Sequence, residues 1–244
     1  MPPPLRMGLF GRGRLGAAIA AQLGDDLAWQ VTREPPPATP VDVALEVSSG
    51  STVTARIEWA LATRTPLVIG STGWDVPDLA PRIGDRIGVV TAPNFSLGVA
   101  LMRRFSLVLA RFCANDEALD PYLIEHHQAK KHDAPSGTAK LLAATILNGC
   151  PRKLSWAIGG PLQKDQLSVA VVRAGSTYSQ HRVGMDAPAE VLELMHTARS
   201  AAAFVDGALA AARWIQGKKG VFTMDDVAAS VLDPLFAGLA GGAA

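Results

Sequence analysis

A glycine-rich turn near the start of the chain constrains the fold more than any other feature. Gly11, Gly13 and Gly16 form the pattern G-x-G-x-x-G, directly after the apolar run Met7–Phe10 and directly before an Ala-rich segment. In this setting the first glycine permits a tight turn, the second lets a pyrophosphate approach the backbone, and the third lets strand and helix pack closely. The pattern predicts a strand–turn–helix unit that binds a dinucleotide at the helix N-terminus. A Gly-rich turn without a ligand is the alternative.

The residues after the second predicted strand indicate which dinucleotide binds. An acidic residue about 20 positions after the glycines would bond the ribose hydroxyls of NAD. That position is occupied by Thr32-Arg33-Glu34. Arg33 can pair with a 2′-phosphate, which favours NADPH, whereas Glu34 can serve NAD if the register shifts slightly. A solvated Arg33 that contacts no ligand is a third interpretation.

Two patterns of predicted elements follow each other along the chain. Residues 1–96 alternate between short apolar runs and helical segments, which implies crossover connections and a parallel sheet. After Pro93 a long helix is predicted over 97–112, with Phe105, Leu109 and Phe112 inward. Strands then appear without helices between them, at 167–173, 178–185 and 191–195, after an earlier strand at 121–127 and a helix at 136–147.

We therefore expect an α/β chain of two domains. The first is a dinucleotide-binding Rossmann domain with a parallel sheet, residues 1–96, which regains 213–244. The second is a smaller α+β domain with a mixed sheet for substrate binding and oligomerisation, residues 97–212. The 244 residues fit this division, since domains average about 150 residues.

Composition excludes several classes of protein. The chain is 48% hydrophobic and 18% charged, which excludes a mainly disordered chain. Its net charge of +1 argues against a nucleic-acid partner and against a polybasic membrane anchor. No run approaches the ~20 apolar residues of a membrane span, and the N-terminus has no apolar signal region. We expect a cytoplasmic protein in which Cys113 and Cys150 are reduced.

The densest group of chemically active side chains lies in residues 125–139, which hold three of the five histidines. A Pro-Ser-Gly-Thr turn predicts a helix with Ser136 as its N-cap. The N–H groups of Gly137 and Thr138 would then form a site for a carboxylate, helped by the Lys131 ammonium. A histidine at the end of the preceding strand could exchange a proton near neutral pH.

These residues also have plain structural interpretations. Loop histidines and paired lysines are often only solvated, and the Ser-Gly-Thr turn can serve as a helix cap alone. A metal site is another interpretation of clustered histidines. His126, His127 and His132 lack an i, i+4 helical pair and carboxylate partners, so we expect no metal.

This segment resembles the signature of the dihydrodipicolinate reductase family, E-x-H-H-x-x-K-x-D-A-P-S-G-T-A. Ala134–Ala139 match without a gap, and in the same register Glu125, His127 and Lys131 fall on the family's glutamate, first histidine and lysine. Further stretches are similar to the family in the same order along the chain. They are Val68–Gly73, Ala92–Val99, Arg173–Gly175 with His181, His196–Trp214 and Phe222–Val227.

The resemblance implies reduction of dihydrodipicolinate (4-hydroxy-tetrahydrodipicolinate) to tetrahydrodipicolinate in lysine and diaminopimelate synthesis. The implied cofactor is NADPH, with NADH possible, and the implied assembly is a homotetramer built through the sheet of the second domain. His127 would be the general acid/base and Lys131 a proton donor. The implied substrate-binding residues are Gln128, Ser136, Gly137 and Thr138. The implied cofactor-binding residues are Gly11, Arg12, Gly13, Arg14, Leu15, Gly16, Arg33, Gly70, Ser71, Thr72, Ala92, Pro93, Asn94 and Phe95.

Three departures from the family pattern support two alternatives. Gln128 stands where the family has a second histidine, Ser179 replaces a glycine, and Ala201 replaces an arginine. Because a glutamine cannot shuttle a proton, one alternative is a non-catalytic nucleotide-binding relative that acts as a scaffold or regulator. The other is a reductase of a different small imine dicarboxylate.

The histidine pair itself leaves a choice of register. An alignment that puts His126 on the family's first histidine needs a one-residue insertion before Asp133. Neighbouring residues of a strand point to opposite faces, so only one of His126 and His127 is expected to face the site.

Overall fold

The chain divides into two compact units, and the structure, a computed structural model, describes residues 5–237. The first unit takes the described parts of Met1–Leu97 and Ala201–Ala244, and the second takes Gly98–Ser200. Residues 1–4, where the absence of a signal region is expected, lie outside the described residues. Within them, no helix has both the length and the apolar character to cross a bilayer.

The described residues form strands and helices in the following order. The strands are β1 (Met7–Phe10), β2 (Leu27–Val31), β3 (Val43–Glu46), β4 (Leu67–Ile69), β5 (Gly88–Thr91), β6 (Asp120–His127), β7 (Ser155–Ile158), β8 (Gln166–Arg173), β9 (Ser179–Asp186), β10 (Val191–Ala198) and β11 (Gly220–Thr223). The α-helices are α1 (Arg14–Leu23), α2 (Val53–Thr63), α3 (Leu79–Ile83), α4 (Leu97–Cys113), α5 (Gly137–Gly149), α6 (Val205–Trp214) and α7 (Met224–Phe236).

The first unit contains a six-stranded sheet in the order β11-β5-β4-β3-β1-β2, and every pairing is parallel. The chain moves from β1 to one edge and from β3 toward the other, so the direction of winding reverses between these two strands. Ligands of open α/β sheets bind outside the carboxyl ends of the strands at such a reversal. The glycine-rich turn follows β1 and lies there, which confirms the expected Rossmann-type sheet.

Helices on both faces explain why these strands are mostly apolar. Every residue of β1 and β3 is buried. One face packs against α1 and α6 through side chains that include Ile19 and Leu209. The other face packs against α2 through side chains that include Val53 and Ile57.

Helix α6 belongs to the first unit, although the sequence predicts a return to that domain only at 213. Its buried face consists of small and aliphatic residues, among them Val205 and Ala208, that share a core with β1. Gly207 makes the approach close, because a Cβ there would lie 1.7 Å from the carbonyl oxygen of Phe95. The division at 201 therefore differs from the expected one.

The second unit contains the expected mixed sheet, in the order β10-β9-β6-β8-β7. β7, β8 and β6 are parallel, whereas β9 is antiparallel to both β6 and β10. Helices α4 and α5 cover one face, where Leu123 and Val183 pack against Leu109 and Leu142. On β6 the buried positions alternate with half-buried ones, so Glu125 and His127 lie on the helix-covered face and His126 on the other.

The predicted inward face of α4 is wrong in part. Leu109 is buried, but Phe105 and Phe112 are 41% and 52% exposed. The buried stripe is rotated onto residues that include Met102, Ser106 and Ala110. Small residues allow a close helix contact there, since a Cβ on Gly149 of α5 would lie 2.7 Å from the Cβ of Ala110.

Candidate active site

The glycine-rich turn has the geometry that a dinucleotide requires. Gly11 has φ of 123°, and a Cβ there would lie 2.8 Å from the backbone of Val47. A Cβ on Gly16 would lie 2.3 Å from the carbonyl oxygen of Gly11, so both positions exclude larger residues. Gly13 instead faces open space at the N-terminus of α1. Because the first N–H groups of a helix have no intrahelical acceptor, these residues fit a diphosphate.

The acidic residue after β2 is held by the protein itself. The Glu34 carboxylate accepts hydrogen bonds from the backbone N–H of Thr32 at 2.7 Å and of Arg33 at 3.0 Å, and Arg12 lies 3.3 Å away. These contacts lower the pKa of Glu34 to about 2, and the hydrogen bond from Thr32 has the largest effect. Arg12 also donates to the carbonyl of Gln30 at 2.8 Å. The Arg33 side chain is exposed.

The predicted cofactor-binding residues include both buried and solvent-accessible side chains. Gly70 is required because a Cβ there would lie 2.3 Å from the ring of Phe95. Phe95 and Ala92 are buried in the core, so their side chains support the neighbouring loop from below. Thr72 and Pro93 are exposed, and Ser71, Asn94, Arg12, Arg14 and Leu15 of the predicted set are at least partly accessible.

A buried carboxylate organises the second unit's candidate site. Glu125 is fully buried, and its two oxygens accept hydrogen bonds from the backbone N–H of Ser136 at 3.0 and 3.1 Å. Arg173 donates to Oε1 at 2.6 Å. His127 Nδ1 and His181 Nε2 lie 3.5 and 3.6 Å from Oε2. The alternation of β6, the turn before α5 and the position of β8 and β9 on either side of β6 therefore bring residues from four separate segments to one carboxylate.

Burial and charge set the protonation states in this cluster. Burial alone would raise the pKa of Glu125, but its contacts with His181, Ser136 and Arg173 outweigh burial and hold this pKa well below the usual range. Burial lowers the pKa of His127 to about 4, against the attraction of Glu125, which raises it. At neutral pH the pair is therefore a carboxylate beside a neutral imidazole.

The hydroxyl and the backbone N–H of Ser136 both form hydrogen bonds within the protein. Its hydroxyl accepts the N–H of Ala139 at 3.1 Å, which makes it the N-cap of α5, and lies 3.1 Å from His181 Nε2. Its own N–H donates to Glu125. The predicted N-cap is therefore confirmed. Gly137 and Thr138 are the first two residues of α5 after this cap.

The remaining predicted residues lie around this helix terminus or on the far side of the sheet. Lys131 Nζ is 2.7 Å from the Asp133 carboxylate, and its side chain is 28% exposed. Gln128 is half-buried in the turn that Lys131 closes by donating its N–H to the Gln128 carbonyl at 3.1 Å. His126 Nε2 lies 3.0 Å from the Ala174 carbonyl on the opposite face of the sheet.

Sequence reasoning gave no role to Glu125, Arg173 or His181, although all three stand in the motifs of the family resemblance. The spacing of Glu125 and His127 was the available signal, because residues two apart on a strand share a face. Arg173 and His181 come from β8 and β9, and only the order of the strands brings them to Glu125.

Glu125, His127 and His181 also form the one trio among the described residues whose ligand atoms could hold a metal ion, all within 4.8 Å. The fold thus supplies a carboxylate partner that the sequence spacing of the histidines lacks. Arg173, however, lies 2.6 Å from Glu125, and its permanent positive charge opposes a cation at that carboxylate.

Comparisons with known proteins identify the family of the chain. Residues 98–228 match the sequence profile described as dihydrodipicolinate reductase, C-terminus. The 4-hydroxy-tetrahydrodipicolinate reductase of Syntrophus aciditrophicus (strain SB) is 31% identical over 229 residues, which cover 89% of this chain and 80% of that protein. The enzyme of the same name from Campylobacter concisus (strain 13826) is 32% identical over 195 residues, 76% of this chain and 75% of that protein.

A solved structure shares the fold. The dipicolinate-bound dihydrodipicolinate reductase from Paenisporosarcina sp. TG-14 superposes with a TM-score of 0.71 at 19% identity, over 90% of this chain and 97% of that one. Because the profile matches more than half of the chain and a reductase 31% identical is matched over 89% of it, this chain belongs to the dihydrodipicolinate reductase family.

Proposed function

We propose that this chain is a 4-hydroxy-tetrahydrodipicolinate reductase of lysine and diaminopimelate synthesis. A nicotinamide dinucleotide at the glycine-rich turn would supply the hydride for this reduction. Membership of the family supports the activity. The observation that carries the assignment of residues is the buried Glu125–His127 pair beside the N-terminus of α5.

Helix α5 and Lys131 suit a dicarboxylate. The N–H groups of Gly137 and Thr138 lie at the positive end of the helix, where a carboxylate is stabilised. A Cβ on Gly137 would contact nothing within 4 Å, so the backbone is open to a ligand there. We assign one substrate carboxylate to these N–H groups and to Lys131, with Gln128 as a neutral hydrogen-bond donor at the site's edge. Ser136 positions them without contacting the substrate.

Lys131 and His127 divide the proton transfer. At neutral pH the His127 ring is neutral because burial lowers its pKa to about 4, so the ammonium of Lys131 is the proton donor available at rest. A dianionic substrate beside His127 raises the pKa of that ring, which lets His127 hold a proton during turnover. Glu125 faces Nδ1 and leaves Nε2 as the atom that exchanges the proton.

The finer choice of cofactor is NADPH. Thr32 has no carboxylate to bond the ribose hydroxyls of NAD, and Glu34 is already held by two backbone N–H groups and Arg12. Arg33 is exposed beside them and can pair with a 2′-phosphate. Both reduced cofactors belong in the activity assay, and a higher kcat/KM with NADH would contradict this choice.

We further propose a cytoplasmic homotetramer built through the open face of the second unit's sheet. That face exposes Val172, Val191 and Met195 by 39%, 57% and 60%. Tyr122 and Arg182 both contact Glu193 on the same face, at 2.6 and 3.3 Å. Exposed apolar side chains beside an ordered polar cluster are typical of a subunit interface.

The neighbouring histidines provide the test of the catalytic assignment. We expect His127→Gln to lower kcat by roughly 10²–10⁴-fold, the usual contribution of a general acid/base. His126→Gln is the matched control, because that ring lies on the opposite face and its rate is expected to stay near wild type. The measurement is oxidation of the reduced cofactor with the product of dihydrodipicolinate synthase as substrate. Loss of activity in the His126 variant alone would transfer the role to His126.

A further inference from the structure

Glu46 is a second fully buried carboxylate, and the reaction assigned above makes no use of it. It ends β3, one of the two strands between which the winding of the first sheet reverses. Its residue exposure is 0%. A buried carboxylate is costly unless its partners compensate it, and apolar replacements of buried ion pairs are often neutral or stabilising. Its position at the ligand-binding end of the sheet therefore suggests a role beyond stability.

One oxygen of Glu46 joins the loops after two adjacent strands. Oε1 accepts the backbone N–H of Ser48 at 2.7 Å and of Ser49 at 3.3 Å, both in the loop after β3. The same atom accepts the hydroxyl of Ser71 at 3.0 Å, from the loop after β4. The Glu46 carbonyl also accepts the N–H groups of Gly70 at 2.8 Å and Ser71 at 3.2 Å.

The other oxygen faces a buried arginine. Glu46 Oε2 lies 3.7 Å from Arg56 Nε, and Arg56 is only 8% exposed. Arg56 also donates to the carbonyl of Thr32 at 2.8 Å, and its guanidinium lies 4.2 Å from the centre of the Phe10 ring. The pair therefore connects the ends of β1, β2, β3 and β4, which are the strands around the dinucleotide turn.

These loops are packed closely enough to move together. A Cβ on Gly11 would lie 2.8 Å from the Val47 backbone, and a Cβ on Gly50 would lie 2.4 Å from the Thr72 carbonyl oxygen. A shift of the loop after β3 would therefore displace the glycine-rich turn on one side and Thr72 on the other.

We propose that Glu46 is a positioning residue for the dinucleotide: it fixes Ser71 and the loop after β3 in the conformation that binds the cofactor. This inference rests on the proposed function, in which Gly70, Ser71 and Thr72 contact that cofactor. Glu46 acts through Ser71 and the backbone and does not touch the reacting atoms. Its loss is therefore expected to weaken cofactor binding more than it slows the chemical step.

Glu46→Gln tests the proposal, because the amide keeps the size of the side chain but loses the charge. We expect the Kd for NADPH, measured by fluorescence titration without substrate, to rise on the order of tenfold, as for loss of hydrogen bonds to a charged group. At saturating NADPH we expect kcat to stay near wild type. Glu58→Gln on α2 is the control, since that exposed carboxylate pairs with Arg82, and its Kd should not change.

Ser48→Ala decides the case in which Glu46→Gln does not fold. It removes the hydroxyl that donates to Glu46 Oε1 at 2.5 Å, leaves the buried pair intact and changes no residue assigned to the cofactor, and we expect a smaller rise in the Kd for NADPH. An unchanged Kd in the folded Glu46 variant, or equal losses in kcat and cofactor binding with a lower Tm, would overturn the proposal. If wild type binds neither NADPH nor NADH, the proposed function itself fails, and this inference with it.

Discussion

His127 and Glu125 respond to protons in ways that make the second unit sensitive to acid. Burial lowers the pKa of His127 in the folded chain to about 4 from the ordinary 6.5. As pH falls below 6.5, the unfolded chain takes up this proton first, so the contribution of the neutral ring to stability is lost between pH 6.5 and about 4. The lowered pKa of Glu125 adds a loss that begins only below its ordinary 4.5.

We therefore predict that the free energy of unfolding falls by about 2 kcal/mol between pH 6.5 and pH 5 through His127, at 1.36 kcal/mol per pH unit. Urea unfolding at several pH values measures this slope. In His127→Gln the dependence should be flatter by that amount, while His126→Gln should retain it. Equal slopes in wild type and His127→Gln would show that the folded ring binds protons normally.

The turn between β1 and α1 makes different demands on its glycines. Gly16 has no room for a methyl group, since its Cβ would lie 2.3 Å from the Gly11 carbonyl oxygen, whereas Gly13 has φ of −69° and open space. Gly13→Ala is compatible with the backbone but places a methyl group where the phosphates are assigned.

We predict that the two substitutions separate stability from cofactor binding. Gly16→Ala should lower the free energy of unfolding by about 1–3 kcal/mol, the usual penalty for overpacking. Gly13→Ala should leave stability nearly unchanged, because a poorer N-cap is offset by a less flexible unfolded chain, yet raise the Kd for NADPH on the order of tenfold. Thermal melts and fluorescence titration measure the two effects. Wild-type affinity in the Gly13 variant would show that the diphosphate does not bind at this position.

Local patterns predicted most elements, and their failures have physical causes. The parallel strands were predictable because burial on both faces makes them mostly apolar, with Glu46 of β3 as an exception. β7 was missed because it is a short edge strand with two exposed ends and no clear alternation. On α4, periodicity allowed two neighbouring faces, and the contact of Ala110 with Gly149 selected the less aromatic one.

The candidate site shows the same limit more sharply. The spacing along β6 and the N-cap at Ser136 predicted where His127 and the helix terminus lie. Glu46 was missed because its partner Ser71 is 25 residues away in the sequence, and only the pairing of β3 with β4 joins them. Partners of a buried charge are set by strand order, which a single sequence does not encode locally.

At the scale of the whole molecule, the open face of the second unit's sheet connects fold to assembly. Its apolar residues alternate with the helix-covered ones, so Met195 and Val191 of β10 lie on the same face as Arg182 of β9 and His126 of β6. In a monomer these side chains would be solvated, and the exposed apolar ones would favour association between copies.

We predict that wild type has a mass in solution of four times the 25.6 kDa of one chain. Val191→Glu should dissociate the assembly, because it lies opposite Asp186 on β9 and a carboxylate buried without a partner costs on the order of 3–5 kcal/mol per copy. Val231→Glu, at a 46% exposed position of α7 in the first unit, is the control and should keep the wild-type mass. Light scattering after gel filtration measures the mass, and circular dichroism confirms that each variant is folded. A monomeric wild type, or a folded Val191 variant of unchanged mass, would exclude this face as the interface.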